Sequence, residues 1–166
     1  IARGDDKLTF EEQQKRLYAL ALDYARDEDM DDFFKRDVLS LIEKCTLELL
    51  EKEDSFFGMF LIQMKRMISL KLPAPLATAP LNEGFVLYIN PRTFLTCTKR
   101  EMKALLKHEI YHIMYSHPQR IDALSNKYSL RAINIAMDIS VNQYIRDLPP
   151  WSKRLESINL EYNMHL

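Results

Sequence analysis

Residues 98–116 have little choice in how they fold. Thr98-Lys-Arg-Glu101 sets a hydroxyl three positions ahead of a carboxylate, the pattern in which each side chain closes on the other's backbone N–H and opens a helix. The helix that follows places Met102, Leu106, Ile110, Ile113 and Met114 on one side, assigned to the core, and His108 and His112 on the other. It is expected to end at about Ser116, because His117 precedes Pro118 and is biased out of the helical region.

Positions i and i+4 of a helix differ by about 40° of rotation, so the two imidazoles of His108-Glu109-Ile110-Tyr111-His112 project together and can reach one ion. Neutral imidazole suits zinc, and an open coordination position on that ion acidifies a water. Glu109, beside the two rings, is the candidate catalytic base. Such a centre needs a third protein ligand, and three residues compete for the place: His117, Asn134 and Asp138. On an uninterrupted helix His117 would point about 140° away from His112, so it reaches the ion only through a break at Pro118. Otherwise it is a loop residue or a hydrogen-bonding partner.

The segment Ser129–Arg146 is apolar over most of its circumference, through Ala132, Ile133, Ala136, Met137, Ile139, Val141 and Tyr144, and is expected to be a largely buried helix. Asn134, Asp138 and Asn142 draw a polar stripe down it. A buried carboxylate is costly unless paired or bound to a metal, which makes Asp138 the best third ligand. Asn134 and Asn142 then support the ligands or touch substrate. The competing reading makes the stripe a solvent face with Asp138 paired to Arg131 or Arg146.

The rest of the chain reads as α+β. Thr9-Phe-Glu-Glu12 opens a helix expected over about 10–26, and after the acidic break 27–32 the stripe Phe34, Val38, Leu41, Ile42, Cys45, Leu49 makes a second. From Phe56 the apolar runs are broken by Gly58, Pro73, Pro75, Pro80 and Gly84 and read as strands and turns over 53–97, with Gly58–Leu70 ambiguous. Asn82-Glu83-Gly84 looks like a hairpin turn into strand Phe85–Ile89, closed by Asn90-Pro91. Gly84–Asn90 is also a candidate sheet edge for an extended substrate. Residues 116–129 are read as a long loop. Tyr88, Tyr111 and Tyr115, weighed as hydroxyl donors to an oxyanion, fit packing better.

A single domain over 1–166 suits this length and the 47% apolar content. The net charge of −1, from 23 basic and 24 acidic residues spread along the chain, argues against nucleic-acid or anionic-membrane partners. No apolar run approaches the roughly 20 residues of a membrane span. No signal peptide is visible, and Cys45 and Cys97 are too far apart in sequence to suggest a CxxC site or a disulfide framework, so the cytoplasm is the expected compartment.

Phe56-Phe57-Gly58, Leu87-Tyr88-Ile89-Asn90-Pro91, the histidine motif with His117 and Arg120, and Asn134-x-Ala136-x-Asp138-x-x-Val141-Asn142-Gln143 follow one another in an order that resembles a known family. It is similar, over roughly Phe56–Pro149, to the bacterial metallopeptidase-type domain that precedes a von Willebrand factor A-like domain. The resemblance implies a zincin-like fold with a small sheet beside the histidine helix, supports Asp138 as third ligand, and suggests genes linked to MoxR-type AAA ATPases. It also implies a downstream domain, toward which residues 149–166 would lead. The expected activity is zinc-dependent hydrolysis of a peptide or protein substrate. The alternatives are a catalytically silent zincin-like binding module within a larger assembly, and a structural metal site with His117 as fourth ligand.

Overall fold

A computed structural model describes residues 8–51 and 53–152 of the 166. Of the tail expected over 149–166, residues 153–166 lie outside the described part. The described residues form an α+β fold of seven α-helices, one short 3-10 turn and a three-stranded sheet.

Two helices open the chain. Thr9 caps α1 (Phe10–Asp23) by accepting the Glu12 N–H, and Asp31 caps α2 (Asp32–Leu50) by accepting the Phe34 N–H at 2.7 Å. The two pack on each other, and α2 buries Phe34, Val38, Leu41, Ile42, Cys45 and Leu49, the stripe read from the sequence. Side chains then tie this pair to the rest of the fold. Gln14 donates to the carbonyls of Leu95 and Cys97, and the Arg92 guanidinium donates to those of Ala21 and Tyr24, just where α1 runs out of intrahelical donors.

Where the sequence suggests strands and turns beginning at Phe56, with Gly58–Leu70 undecided, the first element is instead α3 (Ser55–Gln63). Phe56, Phe57, Met59, Phe60, Leu61 and Ile62 are nearly continuous and carry no visible helical period. Gly58 is not a turn here. A Cβ at this position would stand 2.7 Å from Leu50 Cγ, so the glycine is what lets α3 lie close against the end of α2.

Strands β1 (Lys65–Ile68), β2 (Leu76–Leu81) and β3 (Gly84–Ile89) follow, in the order β1-β3-β2. The hairpin at Asn82–Glu83 is as the sequence suggests, with Gly84 at φ 105° in the region that favours glycine. β3 pairs with β1 in parallel and with β2 antiparallel. It is therefore the central strand, and the expectation that Gly84–Asn90 offers a free edge is overturned. The edge nearest the histidine helix is β2, which packs on it. Asn90 and Pro91 end β3 as expected, Asn90 by capping the one-turn helix α4 (Pro91–Phe94).

The reciprocal capping box of Thr98 and Glu101 starts α5 (Lys99–Met114), the helix that carries the histidine motif. Met102, Leu106 and Ile110 are fully buried, Ile113 is half-buried, and Met114, placed in the core by the wheel, is exposed. α5 is fixed on its other flanks by Lys99 and Lys103, which both pair with Glu48 of α2, and by Lys107, which pairs with Asp54.

Two more expectations fail beyond α5. Residues 116–129 are not a long loop, because α6 (His117–Leu124) occupies most of them, and His117 is its first residue. Ser116 ends α5 in the left-handed region, at φ 55° and ψ 35°, a conformation costing a non-glycine residue about 1–2 kcal/mol. Pro118 then falls in the first turn of the new helix, where a missing N–H breaks no hydrogen bond. Helix α7 (Leu130–Asn142), capped by Ser129, is shorter than expected and is not largely buried. Ile133, Met137, Val141 and Asn142 are buried, whereas Leu130, Ala132, Asn134 and Ala136 are exposed. The contiguous apolar core runs from Phe10 to Leu148, and among the described residues α6 contributes nothing to it. No helix among them is long and apolar enough to cross a membrane.

Candidate metal centre

Helix α5 presents His108, Glu109 and His112 to a cleft of about 510 Å³, closed on one flank by Ala74–Thr78 leading into and along β2 and on another by α7. That volume lies in the range of ligand pockets. His108 Nε2 and His112 Nε2 are 2.7 Å apart, and Asp138 Oδ1 lies 3.2 Å from His112 Nε2 and 3.6 Å from His108 Nε2. Four-coordinate zinc with bonds of about 2.0–2.2 Å sets its ligand atoms roughly 3.3 Å from one another. Among the described residues, His108, His112 and Asp138 form the His/Cys/Asp/Glu group able to hold a metal ion, with candidate ligand atoms all within 4.8 Å.

The other nitrogen of each ring is already engaged. His108 Nδ1 lies 2.6 Å from Asn142 Oδ1, and His112 Nδ1 lies 2.7 Å from His117 Nδ1. With the outer nitrogens so occupied, both Nε2 atoms turn lone pairs toward each other and toward a carboxylate oxygen. Three electron-rich atoms at these distances need a cation, or shared protons, among them. The residues thus fit a divalent metal by donor chemistry, and the two separations from Asp138 match zinc spacing, whereas the two Nε2 atoms, at 2.7 Å, must part slightly to admit an ion.

The charges respond to one another. Burial acts to raise the Asp138 carboxyl, and the two imidazoles outweigh it, holding it well below the usual carboxylate range. Burial acts to lower His108, and the adjoining Asp138, with Glu109, reverses the sign and raises it. His117 is pushed down to about 4 by burial, by His112 and by Arg120. The Asp138 side chain is 39% exposed and the two ring side chains 13% and 16%, so the group opens to solvent on the acid's side.

Glu109 is buried to 8% exposure, and its Oε2 faces the Thr78 hydroxyl at 3.4 Å. Of the other residues singled out from the sequence, Asn134, Asn142 and His117 also line the cleft. Arg120 does not. It borders a second hollow between α6 and α7, behind His117. Tyr88, Tyr111 and Tyr115 are absent from the cleft lining, and Tyr111 packs among Phe57, Tyr115 and Tyr144.

The sequence reading missed Thr78, the β2 edge as a whole, and Trp151 with Ser152, which line the cleft as well. For β2 a signal was present. Pro80 inside an otherwise regular strand cannot donate to a ladder, so a strand containing it belongs at an edge. Trp151 and Ser152 carry no local signal, since only the packing of the chain after α7 brings them there.

No curated protein and no solved structure matches the chain. A family model described as "Putative metallopeptidase domain" matches residues 43–149, starting earlier than the expected Phe56 and taking in α5, β2 and α7 together. That match spans more than half of the 166 residues and holds every atom of the cluster just described, and the chain belongs to this family.

Proposed function

We propose that the chain hydrolyses peptide bonds, with one zinc ion held by His108 Nε2, His112 Nε2 and Asp138 Oδ1 and with Glu109 as general base. The observation that carries the reading is the meeting of those three atoms within 4.8 Å, in the same cleft as a buried glutamate. Membership of a metallopeptidase family agrees with it.

A divalent ion held by His108, His112 and Asp138 would polarise a carbonyl and lower the pKa of a water toward about 7. The protein's own residues do the rest. The Thr78 hydroxyl occupies Glu109 Oε2, which leaves the other carboxylate oxygen to accept. Glu109 takes a proton from the attacking water and hands it to the departing amine nitrogen as the C–N bond breaks, leaving a carboxylic acid and an amine, between which the acid's proton then passes to give carboxylate and ammonium. Among the described residues no strand pairs with the outer edge of β2, which offers backbone N–H and C=O groups along the same cleft. An extended peptide pairing with that edge is held across the metal with its scissile bond beside Glu109.

The test is Glu109→Gln, assayed on a mixed peptide library by mass spectrometry with zinc content measured in parallel. The expected result is retained zinc with cleavage reduced by about 10²–10⁴. Undiminished cleavage in the variant would remove Glu109 from the chemistry.

A further inference from the structure

The spacing of His117 from His112 puts it on the wrong side of a continuous helix, yet the two rings meet. The device is Ser116. Its left-handed backbone ends α5, restarts the chain as α6, and swings His117 back beneath the ring five residues earlier. A polar residue other than glycine held at positive φ persists only where the surroundings fix it, and such positions gather at functional sites. Here the consequence is a ring-to-ring hydrogen bond, Nδ1 to Nδ1 at 2.7 Å, with His117 5% exposed.

One hydrogen can lie between two nitrogens. If His112 presents its Nε2 lone pair to an ion, its hydrogen must be on Nδ1, and His117 must receive it. We infer that His117 is a positioning residue: its Nδ1 accepts the His112 Nδ1–H, which selects the tautomer and the ring angle that present His112 Nε2 to the metal. The inference rests on the proposed role of His112 as a ligand. His117 is then not a fourth ligand, since its nearest ring nitrogen faces the side of His112 away from Asp138. Asn142 Oδ1 does the same for His108 from α7, so neutral acceptors on two different helices orient the two rings of one motif. Partners of this kind are worth about 10–100-fold in metal affinity.

The experiment compares zinc affinity, by competition with a chromophoric chelator, in the wild-type chain, His117→Phe and His117→Asn. Phenylalanine keeps a ring and removes the acceptor, whereas asparagine places Oδ1 near the position of the lost Nδ1. The expected result is about 10–100-fold weaker binding in His117→Phe and recovery to within about threefold of wild type in His117→Asn. Isotope-labelled imidazole NMR of the zinc-loaded chain should show the His112 hydrogen on Nδ1, slowly exchanging in wild type and His117→Asn and exposed in His117→Phe. The melting temperature of each metal-free variant separates this from simple loss of packing. Equal affinity in His117→Phe and wild type would overturn the inference while leaving the zinc reading intact. Equal weakening in both variants would also overturn it, because an acceptor returned to that place would then not restore binding. A wild-type chain that binds no zinc would sink the function proposed above and this inference with it.

Discussion

Asn142 Oδ1 lies 2.6 Å from His108 Nδ1, although 34 residues separate the two in sequence and Asn142 is 2% exposed at the end of α7. The contact joins the polar stripe of α7 to the histidine face of α5. Replacing Asn142 by leucine removes the acceptor and keeps the branched outline of the side chain. Zinc affinity should fall by about 10–100-fold, measured by chelator competition, with the helical content unchanged.

The same two helices meet through Asp138. Because the three donor atoms come from both, an ion bound among them ties α5 to α7, and binding energy becomes folding energy. Zinc at about 100 times its Kd should stabilise the wild-type chain by about 2.7 kcal/mol. Asp138→Asn preserves the shape and loses the charge. Its melting temperature should respond much less to zinc, as scanning calorimetry with and without the metal would record.

Acid sensitivity should have a contribution far from the cleft. Asp27 accepts from the Ser69 hydroxyl at 2.8 Å and the Leu70 N–H at 2.6 Å, pinning the end of β1 to the turn after α1. Burial acts to raise its pKa, and these bonds, with Lys71 and Lys35, outweigh it and bring the pKa down. A carboxyl depressed in the folded state stabilises fully above its unfolded pKa of about 3.9 and loses that contribution as pH falls through the folded value. Asp27→Asn should therefore melt below wild type at neutral pH, and the gap should narrow below about pH 4. A gap that stays constant across this range would assign it to something other than the charge.

Gly58→Ala tests the contact between α2 and α3. The new methyl would meet Leu50 Cγ at 2.7 Å and Leu50 N at 3.0 Å, and the backbone nitrogen cannot turn aside. Overpacking of about 1–3 kcal/mol exceeds the gain of up to about 1 kcal/mol in helix propensity. The variant should be less stable in urea titration with its zinc content unaltered, since α3 contributes nothing to the cleft lining.

These sites differ in how far the sequence alone reveals them. The pairing of His108 with His112 follows from helical geometry over five residues, and the Thr98 capping box announces the helix, so that part is legible locally. The stripe of Asn134, Asp138 and Asn142 is legible too, but its burial is not. It runs from exposed Asn134 through half-buried Asp138 to buried Asn142, a gradient along the helix set by its tertiary neighbours, which periodicity does not encode. α3 escapes because its apolar run has no period. α6 escapes because it supplies no core residue, and because a proline that usually marks a boundary sits where a helix can begin. The exchange of β3 for β2 at the sheet edge is a matter of non-local pairing, hinted at only by Pro80.

The metal content of the purified chain bears most directly on all of this. Elemental analysis of wild type, His108→Ala, Asp138→Ala and Arg120→Ala, each dialysed against the same zinc buffer, should give about one zinc per chain for wild type and Arg120→Ala and little for the other two. No zinc in wild type, or an undiminished equivalent in Asp138→Ala, would contradict the account.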